Sequence, residues 1–216
     1  MTSRLSVQAK TCSLIHPLQG GSLPGRSTTD AALVLQHHVE SFHRLYYKVS
    51  TLFLDVKGGF DNVESPSLLS LLRRKGVSPY LVQWVGSFLR DHTCRLTFQG
   101  SPRLFAPVSV GVPQGSPISP LLFVIYVSSL YLDIPRSLFL SYVDDFAVTV
   151  ASPCKRTNVR LLQMSFSSLK RKASPINIFF SIPKTELIHW RTARSNEPCA
   201  PSRFSLRINS SIHSPT

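Results

Sequence analysis

Hydrophobic residues along this chain recur in two spacings, one typical of helices and one typical of strands. Short apolar pieces mixed with Gly and Pro occupy residues 1–30. Asp30 is predicted to cap a helix from Ala31 to about Tyr47, because a short acidic side chain accepts the free N–H groups of a helix start. A β-branched, apolar strand is predicted from Val49 to Val56.

Two Ser-Pro dipeptides predict the next two helices. Ser65-Pro66 supplies a cap followed by Pro at the first helical position, and Gly76 ends that helix. Ser78-Pro79 repeats the pattern and opens a helix with an apolar stripe, which indicates core packing and not a cofactor site. This apolar stripe consists of Leu81, Val82, Trp84, Val85, Phe88 and Leu89. After this helix, two antiparallel strands are predicted within residues 93–110.

The second half of the chain is predicted to return to the same sheet. The predicted elements are a helix opened by Ser119 or Pro120 and carrying residues 121–132, a hairpin over 139–150, a basic helix near 155–172, and strands around Ile176–Ile182 and Glu186–Trp190. This order of elements predicts an α+β fold in which an antiparallel sheet is backed by helices.

Two pairs of acidic residues lie inside or beside the most apolar strands. Asp144 and Asp145 occupy the middle of the predicted hairpin, and Asp55 ends the strand that follows Tyr47. An Asp-Asp pair at a turn is by itself more often only a solvated turn. If the two strands are neighbours in one sheet, however, Asp55 and Asp144 converge and can bind hard cations, which prefer oxygen ligands.

Three segments in this order resemble the A, B and C motifs of reverse transcriptases, in the form found in non-LTR (LINE-type) retrotransposons. Residues 54–63 read LDVKGGFDNV, residues 111–123 read GVPQGSPISPLLF, and residues 142–145 read YVDD. Two further segments agree, PGRSTTDA at 24–31 and the motif D-like KTE at 184–186. The resemblance implies the palm of a right-hand polymerase. The family has Ala where Gly59 stands.

The resemblance implies a two-metal catalytic centre for nucleotidyl transfer. Asp55 and Asp144 would bind two Mg²⁺ ions, with Mn²⁺ as a possible substitute, and the main-chain carbonyl of Val56 would complete the shell of one ion. Asp145 matches the second carboxylate of motif C and would only support the pair, because side chains alternate across a strand and it cannot face the ions as squarely as Asp144. Asp61 is expected to hold the turn or a nearby backbone amide.

The resemblance also implies contacts to the nucleotide and the template. Phe60 would exclude a 2′-hydroxyl, with a merely packed aromatic as the alternative. Gln114 and Gly115 would contact the incoming nucleotide, since glycine permits close backbone approach. Lys184 would protonate the leaving pyrophosphate, with an ordinary exposed lysine as the alternative, and Arg26 would contact nucleic acid.

The charge of the chain favours the same class of partner. The 216 residues carry a net charge of +13, of which residues 151–216 carry +9. A basic protein binds polyanions through counterion release, although an anionic membrane surface or a solvated tail would also suit such a composition. The expected partners are an RNA template, a DNA primer and deoxynucleotide triphosphates.

The remaining features predict an intracellular protein, nuclear or cytoplasmic. The four cysteines form no CxxC pair, no apolar run reaches the length of a membrane span, and no signal peptide is seen.

The expected layout is a partial fingers segment over 1–48, a palm over 49–190, and a flexible tail or the start of a palm–thumb hairpin over 191–216. Against the pattern of the family that the motifs resemble, the first fingers strands and the thumb are expected to be absent, and a truncated or decayed copy is therefore expected. The alternative function is a non-catalytic, basic nucleic-acid-binding remnant.

Overall fold

The computed structural model describes residues 2–98, 101–131 and 137–191, and within them the chain forms six helices and six strands. The helices are α1 Thr2–Thr11, α2 Thr28–Arg44, α3 Ser65–Arg74, α4 Pro79–Phe88, α5 Ser119–Val127 and α6 Lys155–Ala173. The strands are β1 Lys48–Asp55, β2 Thr93–Phe98, β3 Ser101–Pro107, β4 Ser137–Tyr142, β5 Asp145–Ser152 and β6 Glu186–His189.

Four of the strands form one antiparallel sheet in the order β4-β5-β1-β6. The predicted α+β fold, an antiparallel sheet with helices packed on it, is therefore confirmed. Strands β2 and β3 form a separate two-stranded hairpin, as predicted for this segment. Strand β1 lies between β5 and β6, so the strand that ends at Asp55 is paired on both edges.

Helices cover both faces of the four-stranded sheet. Alternate residues of β1 and β5 point to opposite faces, so that Leu52 and Val148 join one core while Val49 and Ala147 join another. The larger core is shared with α1, α3, α4, α5 and α6. The smaller core is closed by Leu35 of α2. This burial on both faces explains why the strands are almost continuously apolar in sequence.

The predicted helix starts are correct to within a few residues, but two caps are wrong. Ser27 caps α2, and its side chain and that of Asp30 each bond the other residue's backbone N–H. Asp30 is therefore the third helical residue and not the cap, and the helix ends at Arg44 rather than near Tyr47. Helix α3 is preceded by Glu64 and includes Ser65 as its first residue. Ser78 precedes α4 as predicted.

Three segments differ from the sequence prediction. Helix α1 was not predicted, because its apolar residues Leu5 and Ala9 make too short a pattern, yet both are buried in the larger core. Helix α5 ends at Val127 and continues only as a 3-10 turn to Leu130. Residues 176–182 do not form a strand: they connect the 3-10 turns Ser174–Ile176 and Ile182–Lys184 and make a single bridge between Val56 and Phe180. Residues 192–216, with the expected tail or hairpin, lie outside the described part.

Candidate active site

The acidic residues of the two central strands meet at one end of the sheet. In the antiparallel register of β1 and β5, Asp55 lies opposite Asp145. Asp144 occupies the two-residue turn between β4 and β5, and its main-chain carbonyl accepts a hydrogen bond of 3.3 Å from the N–H of Val56. The sequence-predicted pair, Asp55 and Asp144, is thus brought together by strand neighbours that are 89 positions apart in the chain.

The turn that carries Asp144 has an unusual backbone. Val143 has a φ of +57°, and it is the only residue of the two-residue turn with a positive φ, the pattern of a type II′ turn. A β-branched side chain in this region is a genuine outlier, and such strain costs about 1–3 kcal/mol. The surrounding structure must therefore hold the turn in this conformation.

A buried glutamine from the N-terminal segment contacts this turn. Gln19 is 1% exposed. Its side-chain oxygen accepts the N–H of Val143 at 3.2 Å, and its side-chain nitrogen donates to the carbonyl of Val143 at 3.4 Å. Sequence reasoning missed Gln19, since no local pattern distinguishes a glutamine whose partner lies 124 residues away.

The carboxylates form a cluster of negative charge. Burial, then the charge of Asp144 and then that of Asp55, raise the pKa of Asp145, while the ammonium of Lys184 partly opposes this rise. Lys184 also forms an ion pair of 3.2 Å with Oδ1 of Asp55. The lysine side chain is 68% exposed, so the ion pair itself contributes less than about 1 kcal/mol. Burial and the neighbouring carboxylates therefore both disfavour the charged form of Asp145, and Lys184 offsets only part of this effect.

The donor atoms at this end of the sheet are those that hard divalent cations prefer. The carboxylates of Asp55, Asp144 and Asp145, which interact electrostatically with one another, offer only oxygen ligands. Burial is the main cause of the raised pKa of Asp145, and a bound cation would relieve the further rise that comes from the charges of Asp144 and Asp55. Across the described ranges, no three His, Cys, Asp or Glu side chains are grouped closely enough to be a preformed metal cage.

The aromatic residue after the first acidic strand is fixed by a stacked partner. Phe60 begins a 3-10 turn, is half-buried, and stacks on Phe123 of α5 with ring centroids 4.8 Å apart. Gly59 lies directly against Phe123, because a Cβ at residue 59 would be 2.8 Å from Cζ of that ring. The position of the Phe60 ring therefore depends on α5 as well as on its own turn.

The loop before α5 is bonded to the same turn. The N–H of Val112 donates to the carbonyl of Phe60 at 2.8 Å, and the side-chain nitrogen of Gln114 donates to Asp61 at 2.9 Å. Gly115 has a φ of +91° and is exposed, which suits close approach of a ligand to the backbone. Asp61, expected to hold a turn or a backbone amide, instead bonds the side chain of Gln114. This link was not visible in the sequence.

Arg26 is exposed, and its guanidinium group is hydrogen-bonded to the main chain. One guanidinium nitrogen donates to the carbonyls of Pro17 and Gln19, so this residue anchors the segment that carries the buried glutamine. It also lines a cavity of 510 Å³ together with Lys10 and Lys75. The structure therefore brings Arg26 to a basic cavity wall, away from direct contact with the carboxylates.

The sequence matches a known protein family over nearly its whole length. The profile described as reverse transcriptase (RNA-dependent DNA polymerase) matches residues 1–205. The chain belongs to the reverse transcriptase family. Members of this family generally use divalent metal ions, in agreement with the oxygen donors gathered at the end of β1 and β5.

Individual relatives of this reverse transcriptase chain come from non-LTR retrotransposons, as the motifs indicated. It is 29% identical over 177 residues to the RNA-directed DNA polymerase from mobile element jockey of Drosophila melanogaster, covering 82% of this chain and 18% of that protein. It is 28% identical over 123 residues to the Pol polyprotein of the element R2DM of the same fly, covering 56% of this chain and 12% of the relative. The chain thus spans about a fifth or less of these curated relatives.

Solved structures show the same fold. Telomerase from Candida tropicalis, in complex with the TWJ fragment of telomeric RNA, superposes with a TM-score of 0.62 at 16% identity, covering 95% of this chain and 36% of that one. Apo telomerase truncated from the C-terminal domain gives 0.60 at 18% identity, covering 89% and 40%. The sheet and its helices are therefore those of a partial polymerase palm, and the reverse transcriptase motifs lie on it. No helix in the described ranges is long and apolar enough to cross a bilayer.

Proposed function

We propose that this chain is the palm region of an RNA-directed DNA polymerase, which extends a DNA primer along an RNA template. The observation that carries this proposal is the antiparallel register of β1 and β5, which puts Asp55 opposite Asp145 and joins Val56 to Asp144. Residues 49–190 would form this palm, and residues 1–48 would contribute to the fingers side.

In this proposal the carboxylates bind Mg²⁺, and Mn²⁺ can replace it. Asp55, Asp144 and the main-chain carbonyl of Val56 would hold two ions, and Asp145 would support them from the neighbouring position. When bound, such ions activate the primer 3′-hydroxyl and neutralise the charge that develops on the departing pyrophosphate. The protein's own contribution is to fix the two strands so that the carboxylates share one end of the sheet.

The neighbouring residues would select and orient the nucleotide. The ring of Phe60, backed by Phe123, would leave no space for a 2′-hydroxyl and so favour deoxynucleotides. Gln114 would contact the nucleotide or the template base, held in place by Asp61. The backbone at Gly115 is open enough for a phosphate or sugar to approach.

Two basic residues would act on the anionic groups of the substrates. Lys184, with its ammonium 3.2 Å from Asp55, is near enough to the carboxylates to donate a proton to pyrophosphate as it leaves. Arg26 would contact nucleic acid through the basic cavity that it shares with Lys10 and Lys75. The net charge of +13 supports binding of an RNA template and a DNA primer.

The test is primer extension on an RNA template with Mg²⁺ or Mn²⁺, using the purified chain and its Asp55→Asn and Asp144→Asn variants. Asp91→Asn is the matched control, because Asp91 is exposed and lies outside the acidic cluster. We expect incorporation by the parent and the control and at least about a hundredfold loss in the two cluster variants. Circular dichroism establishes that each protein is folded.

A second function is favoured by one specific observation, the net charge of +13. A non-catalytic nucleic-acid-binding remnant would bind RNA in a salt-dependent way, with an affinity that Asp55→Asn and Asp144→Asn leave unchanged. A folded parent that binds RNA but incorporates no nucleotide with either metal contradicts the polymerase proposal and supports this remnant.

A further inference from the structure

The turn that carries Asp144 is bonded to a short N-terminal segment, residues 18–21, which we call the strap. The strap pairs with the last residues of β4: the N–H of Gly20 donates to the carbonyl of Ser141 at 2.7 Å, and the N–H of Ser141 donates to the carbonyl of Leu18 at 3.3 Å. Its central residue, Gln19, forms a parallel bridge with Ser141. The strap therefore extends the edge of the sheet at the acidic turn.

The buried side chain of Gln19 satisfies both main-chain polar groups of Val143. Its oxygen accepts the N–H of Val143 at 3.2 Å and that of Gly21 at 3.4 Å, and its nitrogen donates to the carbonyl of Val143 at 3.4 Å. A side-chain amide is well suited to this task, because it presents a donor and an acceptor side by side.

Two further observations show that the strap is fitted closely to the turn. A Cβ at Gly21 would lie 2.4 Å from Cγ2 of Val143 and 2.9 Å from its main-chain nitrogen, so only glycine allows this approach. The guanidinium group of Arg26 donates to the carbonyl of Gln19. Hydrogen bonds therefore link Arg26 to Gln19 and Gln19 to Val143, the residue directly before Asp144.

We propose that Gln19 is a positioning residue for the metal-binding turn: its amide holds Val143 in the left-handed conformation and so aims the carboxylate of Asp144 toward Asp55. Without that amide, Val143 relaxes to a negative φ and the direction of the next residue changes. In this role Gln19 acts through the backbone of the turn, to which its side chain is bonded. The inference deepens the proposed polymerase function and rests on it.

The experiment compares Gln19→Met with Gln8→Met in the full chain. Both changes remove a glutamine that bonds distant backbone, since Gln8 accepts the N–H of Ser78 at 3.1 Å, but only Gln19 contacts the turn. We expect Gln19→Met to accelerate amide hydrogen exchange at Val143 about tenfold, because the N–H loses its partner. We expect it to weaken Mn²⁺ binding, measured by electron paramagnetic resonance, about 10–100-fold, the usual effect of losing an outer support of a metal ligand.

Steady-state kinetics and a second-site variant separate positioning from general stability. Gln19→Met should lower kcat for primer extension and leave KM for the deoxynucleotide within about twofold. Adding Val143→Gly to Gln19→Met should restore most of the Mn²⁺ affinity, because glycine adopts a positive φ without strain. Gln8→Met should leave the exchange rate at Val143 and the Mn²⁺ affinity unchanged.

The inference and the proposed function fail in different ways. A parent that binds Mn²⁺ at the carboxylates but does not extend primers contradicts the polymerase proposal, while the exchange and Mn²⁺ results still decide the role of Gln19. If the parent does not bind Mn²⁺, the rate of amide hydrogen exchange at Val143 alone decides whether Gln19 positions the turn. Unchanged exchange at Val143 in Gln19→Met overturns the inference in either case, and so does a loss of Mn²⁺ affinity of equal size in Gln8→Met.

Discussion

Replacing Gly59 by Ala tests how tightly the aromatic residue beside the acidic site is packed. Gly59 has ordinary right-handed helical angles, φ −52° and ψ −50°, so its backbone tolerates any L residue. Space is the obstacle: a Cβ there would lie 2.8 Å from Cζ and 3.0 Å from Cε2 of Phe123, and 3.3 Å from Cγ1 of Val56. Phe123 is fully buried and stacked on Phe60.

The size of the effect follows from these distances. Carbon atoms prefer a separation of about 3.5–4.0 Å, so the ring must move by about 0.5–1 Å. Forcing one methyl group into a packed core costs about 1–3 kcal/mol. The Gly→Ala change recovers about 0.4–1 kcal/mol by restricting the unfolded chain. We therefore expect Gly59→Ala to lower the free energy of unfolding by about 1–2 kcal/mol.

Urea denaturation followed by circular dichroism measures this change, with Gly86→Ala as the control. Gly86 lies inside α4, and a Cβ there meets only Leu69 at 3.4 Å, so its replacement should stabilise the protein by up to about 1 kcal/mol. Combining Gly59→Ala with Phe123→Leu should recover about 1 kcal/mol relative to the sum of the single changes. Stabilisation by Gly59→Ala, or strict additivity with Phe123→Leu, would refute this account of the packing.

Three further predictions concern charge and buried polar groups. Burial lowers the pKa of His38 and of His189, so the unfolded chain binds more protons than the folded one below about pH 6.5. The free energy of unfolding, measured by urea titration, should therefore fall from pH 7 to pH 5, and it should fall less steeply in His189→Gln. Lys184→Met removes the charge that opposes the raised pKa of Asp145, so that pKa should rise further in a carboxyl NMR titration. Thr51→Val, which deprives the indole of Trp190 of its 2.7 Å acceptor, should cost about 1–3 kcal/mol, and an unchanged denaturation midpoint would contradict this.

Much of the fold could be predicted because its signals are local. The strand ending at Asp55, the Asp144-Asp145 hairpin and the basic helix α6 all lie within a residue or two of their predicted bounds. The errors occur where local signals compete or are short. Ser27 and Asp30 are both residue types that cap helices well, so the sequence did not show that Ser27 is the cap of α2. Helix α1 is too short for its apolar pattern to stand out.

The candidate site divides in the same way. The carboxylates could be selected from the sequence because acidic residues inside apolar strands are unusual. The segments that carry them also resemble reverse transcriptase motifs in the same order along the chain. The supports around them could not be predicted. The bond from Gln114 to Asp61 spans 53 residues, and the bonds from Gln19 to Val143 span 124. The motif selected Gln114 as a contact to the nucleotide but not its bond to Asp61, and nothing in the local sequence distinguishes Gln19 from a glutamine on the surface.

The sequence by itself determined which segments become helices and strands, the family to which the chain belongs, and the chemistry that its acidic residues could perform. These properties depend on residue type and spacing along the chain. Only the tertiary structure decided which strands are neighbours, that Asp145 and not Asp144 lies opposite Asp55, and that a buried amide is hydrogen-bonded to the strained turn between β4 and β5. These features depend on contacts between segments that are distant in the chain, such as β1 with β5 and Gln19 with Val143.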